Sequence, residues 1–176
     1  MIYRPIVDII EEVVTEVRND FTSEQNIPFY DYGTTLEVVN RLRTKTDSNQ
    51  FYDKKYPLIW YVIGDSVNEE VDSKKATKRQ VKENTIIICT ETKAEYSSKE
   101  RYTNVIKPIL RPLYDLFMLK LRQNKSVRSI DGFKHEYYEN LFWGRAGLYG
   151  HDGNIFNDRL DDIIIDSMDL FIIETC

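Results

Sequence analysis

The sequence predicts an α+β fold: a single domain, with a central mixed or antiparallel β-sheet flanked by an N-terminal helix and a long proline-kinked helix, and a long charged loop between two central strands. Three observations predict it. Pro57–Ile63 (PLIWYVI) and Thr85–Cys89 (TIIIC) are short β-branched and aromatic runs without polar alternation, the pattern of strands covered on both faces. Residues Pro5 to Phe21 instead place Ile6, Ile9, Ile10, Val13, Val14, Val17 and Phe21 at three- and four-residue spacing, the stripe of an amphipathic helix. Between the two apolar runs lies Gly64–Asn84, with five acids and five bases, too long for a tight hairpin turn.

Each element has its own local signal. Pro5 suits the first position of the N-terminal helix, whose polar face holds Asp8, Glu11, Glu12 and Glu16, with the early acids at the positive end of the dipole. Ile27 to Tyr32 (IPFYDY) reads as a short strand ended by Gly33. Thr34-Thr35-Leu36-Glu37 then matches a capping box, opening a second helix through about Arg43 with Leu36, Val38, Val39 and Leu42 on its apolar face. The charged span Gly64–Asn84 is expected as a mobile arm that orders against a neighbouring subunit, or as a solvated loop without a role. Ser97-Ser98-Lys99-Glu100 offers another capping box, and the helix behind it buries Tyr102, Val105, Ile106, Ile109, Leu113, Leu116 and Phe117. Pro108 and Pro112 predict a kink or break, with one segment to about Lys107 and another from Pro112 to Gln123. From Ser126 to Gly150 the aromatics suggest a hairpin followed by the loop FWGRAGLYG. The chain closes with a strand over Asp161–Glu174 (DDIIIDSMDLFIIE). Its apolar alternation shifts phase between Ile165 and Met168, which predicts a β-bulge near Asp166 and Ser167, or burial of both faces.

The bulk numbers bound the function. A chain of 176 residues with 41% hydrophobic composition supports one core, and a net charge of −5 lacks the basic excess of a protein that binds nucleic acid by bulk charge. The total hides an asymmetry: Ser97–Arg128 has eight Lys or Arg against two acids, whereas Gly150–Cys176 has seven acids against Arg159 alone. Such regions either form patches that meet head to tail in a closed oligomer or are two solvated faces of a monomer. Cys89 lies inside an apolar run and Cys176 is the last residue, so neither belongs to a disulfide framework, and a reducing cytoplasm is the expected place of synthesis. The acids near the N-terminus do not fit a signal peptide, and no apolar run approaches membrane-spanning length.

Candidate chemistry is sparse. Asp72-Ser73-Lys74 has the acid-x-Lys order of a nuclease metal site but falls in the charged span and not on an apolar strand. Asp152-Gly153-Asn154 with Asp158, Asp161 and Asp162 is a possible calcium set whose spacing departs from the helix-loop-helix site. His135, His151 and the two cysteines lack ligand spacing, and no glycine-rich phosphate loop is present. No catalytic, metal or cofactor site is expected. The candidate contacts between subunits are the charged residues Glu69, Glu70, Lys74, Lys75, Lys78 and Arg79, together with Trp143 and Arg145, the last two being types enriched at the centres of interfaces.

The succession of the N-terminal helix, the segment ending in Tyr32-Gly33, KYPLIWYVIGD (Lys55–Asp65), TIIICTET, the Glu100–Phe117 helix with its IKPILRPLYDLF, the Phe142–Gly144 triplet FWG and the closing strand resembles neck and tail-completion proteins of tailed bacteriophages. The likeness is to those of phages and prophages of Bacteroides-type hosts, including crAss-like phages, and covers nearly the whole chain as a hydrophobic pattern. It implies a virion protein, not an enzyme, made in the host cytoplasm. It also implies a head-to-tail connector or tail-terminator ring, sixfold or twelvefold, beside the portal and neighbouring neck or tail rings. Genomic DNA would pass through the centre without sequence-specific binding, and an acidic channel wall would let it slide. The alternatives from other classes are a cytoplasmic metal-dependent nuclease and a monomeric adaptor.

Overall fold

A computed structural model of the chain describes residues 4–21, 27–47, 55–64, 66–71, 77–129, 131–143 and 158–173. The fold is α+β, with helices packed on a mixed sheet of seven strands. No helix among the described residues is long and apolar enough to cross a membrane.

Helix α1 (Ile6–Asp20) begins immediately after Pro5 and buries Ile9, Ile10, Val13, Val14 and Val17 completely, the stripe its spacing predicted. Each such side chain contributes about 2 kcal/mol of gross transfer free energy. Strand β1 (Phe29–Gly33) leads into helix α2 (Thr35–Asp47), and the Thr34 capping box forms: Glu37 accepts from the Thr34 N–H at 2.9 Å, and Thr34 Oγ1 accepts from the Glu37 N–H at 3.4 Å. Strand β2 (Leu58–Val62) pairs parallel with β1 and antiparallel with the second half of β4 (Thr77–Glu91). Strand β3 (Ser66–Val71) pairs with the first half of β4 on that same edge.

The charged span between the two apolar runs is therefore a β-hairpin where the sequence predicted a loop. Its outer strand carries polar residues such as Asn68, Glu69 and Glu70, so the sequence shows charge and little hydrophobic signal. Register pairing sets Val67 opposite Val81 and Glu69 opposite Arg79.

Helix α3 (Ser98–Arg101) starts on the predicted Ser97/Glu100 capping box, which is complete. The chain then passes without a break through a π-helical stretch, Tyr102–Leu110, into helix α4 (Arg111–Gln123). Of the kink or break expected at Pro108 and Pro112, the break is overturned: the helix is continuous. The Arg111 N–H reaches back five residues to the Ile106 carbonyl, and Pro112 falls at the join of the two hydrogen-bond patterns, in the first turn of α4. The wider turn accommodates the ring of Pro108 where an α-helical turn would clash with it.

Strands β5 (Val127–Arg128) and β6 (Glu136–Trp143) do not pair with each other as a hairpin; both lie along one edge of β7 (Leu160–Ile172). Ser129 turns the chain between them by donating to Asp131 and accepting the Phe133 N–H at 2.8 Å. The sheet thus has two tiers. One runs β1, β2, β4, β7, β6; the other runs β3, β4, β7, β5. Where the tiers join, Glu83 and Ser167 both adopt φ +57°, the bulge predicted near Ser167 and its counterpart on β4.

The main core lies on one face of the sheet, under α1, the π-helical stretch and α4, and includes Ile59, Tyr61, Ile86, Ile88, Phe117, Ile163 and Met168. A smaller core under α2 holds Val38, Val39, Leu42, Leu58, Trp60, Cys89 and Leu160 on the opposite face. Sequence periodicity could not divide the strands between two covers, because PLIWYVI is apolar at every position.

Candidate functional site

Register carries continuous rungs of paired residues across the first tier. One rung reads Tyr32, Tyr61, Ile86, Ile165, Tyr137; the next reads Asp31, Trp60, Ile87, Ile164, Tyr138. The two lateral strands of this tier, β1 and β6, thus stand level with one another at opposite ends. Both ends carry exposed apolar side chains. Tyr32, Leu36 and Ile63 lie at the β1 end and Tyr137 and Tyr138 at the β6 end, each between 45% and 50% exposed. Large apolar side chains exposed at a sheet edge are available for lateral contact.

The β1 end has a specific construction. The Phe29 N–H donates to the Pro57 carbonyl at 2.8 Å and the Ile63 N–H to the Gly33 carbonyl at 3.2 Å, so the odd residues of β1 face β2. Tyr30 and Tyr32 therefore turn their peptide groups outward. The outward groups of Tyr32 are occupied: its N–H donates to Asp31 Oδ1 at 2.8 Å and its carbonyl accepts from Arg41 Nη2. Arg41, from α2, holds Asp31 with two bonds, Nε to Oδ2 at 3.0 Å and Nη2 to Oδ1 at 2.7 Å. The hydrogen bond to Asp31 keeps the guanidinium even more firmly protonated than usual. Beside this clip opens a cleft of about 320 Å³ lined by Asp31, Tyr32, Gly33, Glu37, Arg41 and Ile63. Gly33 is required there. Its φ is +143°, and a Cβ at that position would come within 3.0 Å of both Arg41 Nη2 and Glu37 Oε2.

The β6 end is an aromatic platform shared with the helix layer. Tyr114 of α4 packs on Tyr137 at 5.2 Å between ring centroids, and the Arg111 guanidinium lies 5.1 Å from the Tyr102 ring while donating to Glu139 at 2.7 Å. His135 is held by the Phe133 carbonyl at Nδ1, 2.7 Å, and by the Tyr114 hydroxyl at Nε2, 2.8 Å. Since a carbonyl only accepts, Nδ1 carries a proton, and Nε2 shares the second hydrogen bond with the Tyr114 hydroxyl. Burial raises the Tyr114 pKa.

A third polar group is internal. Lys55, 1% exposed at its side chain, donates to Asp158 at 2.9 Å, and the Tyr56 hydroxyl donates to the same carboxylate oxygen at 2.8 Å. Burial, followed by the nearby Asp158, raises the Glu91 pKa, and burial pushes the Cys89 thiol well up, leaving an inert sulfur.

Of the seven acids in the C-terminal region, those among the described residues are largely engaged within the sheet. Asp158 is taken by Lys55 and Tyr56, and Asp166 accepts from Thr85 at 2.7 Å. Asp169 accepts from Gln80 at 3.0 Å and from the Glu83 N–H at 3.1 Å, while Asp161, fully buried, lies 3.9 Å from Arg101. These acids are joints of the sheet. The basic region is partly spent in the same way, with Lys120 paired to Asp20 and Arg111 to Glu139, although Lys99, Lys107, Arg122, Lys125 and Arg128 remain exposed.

Of the contacts named from sequence, Glu69 and Arg79 form an ion pair across the hairpin, and Glu70 stands opposite Lys78. Lys74, Lys75 and Arg145 lie outside the described residues. Trp143 ends β6 opposite Leu160, whereas Arg79 stands opposite Ile172, so the two groups are roughly 40 Å apart along β7 at about 3.3 Å per residue. The structure does not bring them together. Asp72-Ser73-Lys74, Asp152-Gly153-Asn154, His151 and Cys176 also lie outside the described residues. Asp161 and Asp162, adjacent on β7, point to opposite faces, and among the described residues no three His, Cys, Asp or Glu side chains converge to hold a metal ion.

Sequence reasoning missed Asp31 and Arg41. The available signals were an acid set between two tyrosines on a short edge strand and the Glu37–Arg41 spacing of four on the helix behind it. No family model matches the chain, and no curated protein or solved structure matches it.

Proposed function

We propose that this chain is a structural subunit of a homo-oligomeric ring in the neck or tail of a tailed bacteriophage, joining the portal side to the tail and leaving a central passage for DNA. The observation that supports the reading is the level placement of two unlike lateral surfaces on one tier of the sheet: the Tyr32, Leu36 and Ile63 end and the Tyr137 and Tyr138 end. A ring closes when each subunit contacts the next through two different surfaces related by a rotation. Register sets the two surfaces on the same rungs, and the rotation between neighbouring subunits takes up the twist that accumulates across the sheet. The resemblance of the sequence to phage neck and tail-completion proteins supplies the biological setting.

The long hairpin of β3 and β4 belongs to the second tier, away from the lateral surfaces. It is the natural element for contacts above or below the ring, and its Glu69–Arg79 and Glu70–Lys78 cross-strand positions supply charge there.

Quantitative mass spectrometry of purified phage particles tests this reading, with the copy number of the chain measured against the portal and major capsid proteins. A value near six or twelve is the expected result, and absence from particles overturns it.

A further inference from the structure

We infer that β1 is a gated docking edge: the Asp31–Arg41 clip closes it in the free chain, and β6 of a second copy enters as an added antiparallel strand when the clip swings aside. The inference rests on the ring reading and names how neighbouring copies join.

An edge strand with open peptide groups is a template for any other strand, and proteins guard such edges with charged side chains. Here the guard is atomic in detail. Both outward polar groups of Tyr32 are satisfied by side chains, the N–H by Asp31 and the carbonyl by Arg41. The guard is also removable. Arg41 is 44% exposed at its side chain, so water can take over its bonds as it swings outward, and the cleft beside it gives an entering side chain room. The outward groups of Tyr30 complete the edge, while its hydroxyl, donating to the Val7 carbonyl at 2.8 Å, fixes the strand to α1.

The occupant follows from strand direction and level. β1 is parallel to β2, and the chain reverses at each of the next three pairings, to β4, β7 and β6. β6 therefore has the opposite sense to β1, so β6 of a second copy, turned to offset the twist of the sheet, supplies the sense an antiparallel ladder needs. It also presents it at the right height, because Tyr32 and Tyr137 end one rung. Among the described residues β6 has no strand on its outer side. Such β-augmentation gives affinity through main-chain hydrogen bonds, and the exposed tyrosines add side-chain contact.

The test compares the wild-type chain with Arg41→Ala by sedimentation velocity over a range of protein concentrations. Association is expected to strengthen by about tenfold or more in Arg41→Ala, with Arg41→Lys intermediate because it keeps the charge and loses the two-bond grip. Far-ultraviolet circular dichroism checks that the variants fold. To locate the contact, copies bearing Tyr32→Cys are mixed with copies bearing Tyr137→Cys, which share a rung and a face, all in a Cys176→Ser background, and oxidised. Disulfides between the two kinds of copy, more abundant with Arg41→Ala, are the expected result. Unchanged association in folded Arg41→Ala, or cross-links confined to pairs of Tyr32→Cys copies, overturns the gate. A failed gate leaves the copy number in particles untouched, whereas a failed ring reading appears as absence from particles whatever residue stands at position 41.

Discussion

The side-chain amide of Asn84 donates to the Met168 carbonyl at 2.7 Å, joining the bulges on the two longest strands at the junction of the tiers. Asn84 is fully buried, and the rest of its amide is also bonded: Nδ2 donates to the Val81 carbonyl at 2.9 Å, and Oδ1 accepts from the Tyr61 hydroxyl at 2.9 Å. Both bulges interrupt backbone pairing, and this one side chain repairs the loss.

Asn84→Ala should therefore be among the costliest substitutions in the chain. It strands a buried hydroxyl and two carbonyls, and a loss of about 3 kcal/mol is expected from urea denaturation. Asn84→Asp should cost at least as much, since a carboxylate sets acceptors against the carbonyls of Val81 and Met168. A loss below about 1 kcal/mol for both would show that the junction does not depend on the amide.

Ser167 is exposed and holds φ +57°, a conformation that any β-carbon strains. Ser167→Gly should stabilise the fold by about 0.5–1 kcal/mol, and Ser167→Val should destabilise it by about 1–2 kcal/mol, both read from thermal denaturation. The opposite order would mean that the bulge relaxes on substitution.

Lys55 and Asp158 form a pair with side chains 1% and 10% exposed. Removing one partner leaves the other charge shielded from water. Lys55→Met alone should cost about 3 kcal/mol, and the double variant with Asp158→Asn, which removes the unpaired charge but keeps an acceptor for the Tyr56 hydroxyl, should recover most of that loss in a double-mutant cycle. Additive losses would contradict the pairing.

Glu37 and Glu100 hold the two capping boxes, and each has a pKa lowered below the ordinary 4.5, Glu37 first by the Thr34 backbone bond and Glu100 first by the Ser97 side-chain bond. A carboxylate with a depressed folded pKa contributes stability that is present above its unfolded pKa and lost as the pH falls through its folded value. Glu100→Gln retains the acceptor without the titration. It should flatten the decline of stability between about pH 5 and about pH 3, measured by denaturant midpoints, while changing little at neutral pH. An unchanged acid limb would remove Glu100 from that decline.

What is local was legible in the residues. The helix start after Pro5, both capping boxes, the two apolar strands and the phase slip of the closing strand each depend on neighbours within a few positions, where spacing and side-chain chemistry act directly. The proline-bearing helix was misread because its two prolines signal a break, and nothing local shows that a π-helical turn absorbs one while the next helical turn absorbs the other.

Tertiary structure decided everything that depends on which distant segments meet. It turned the charged span into a hairpin by giving it the edge of β4, and set β5 and β6 one after the other along the same edge of β7. It also spent the acids of the closing strand on Thr85, Gln80 and Lys55, residues between 81 and 103 positions away. Charge counted along a chain cannot reveal this, because a carboxylate bonded inside a sheet and one facing water are the same letter. The Asp31–Arg41 clip has the same origin: each residue is ordinary in its own segment, and only the return of α2 against β1 brings the guanidinium to the Tyr32 carbonyl.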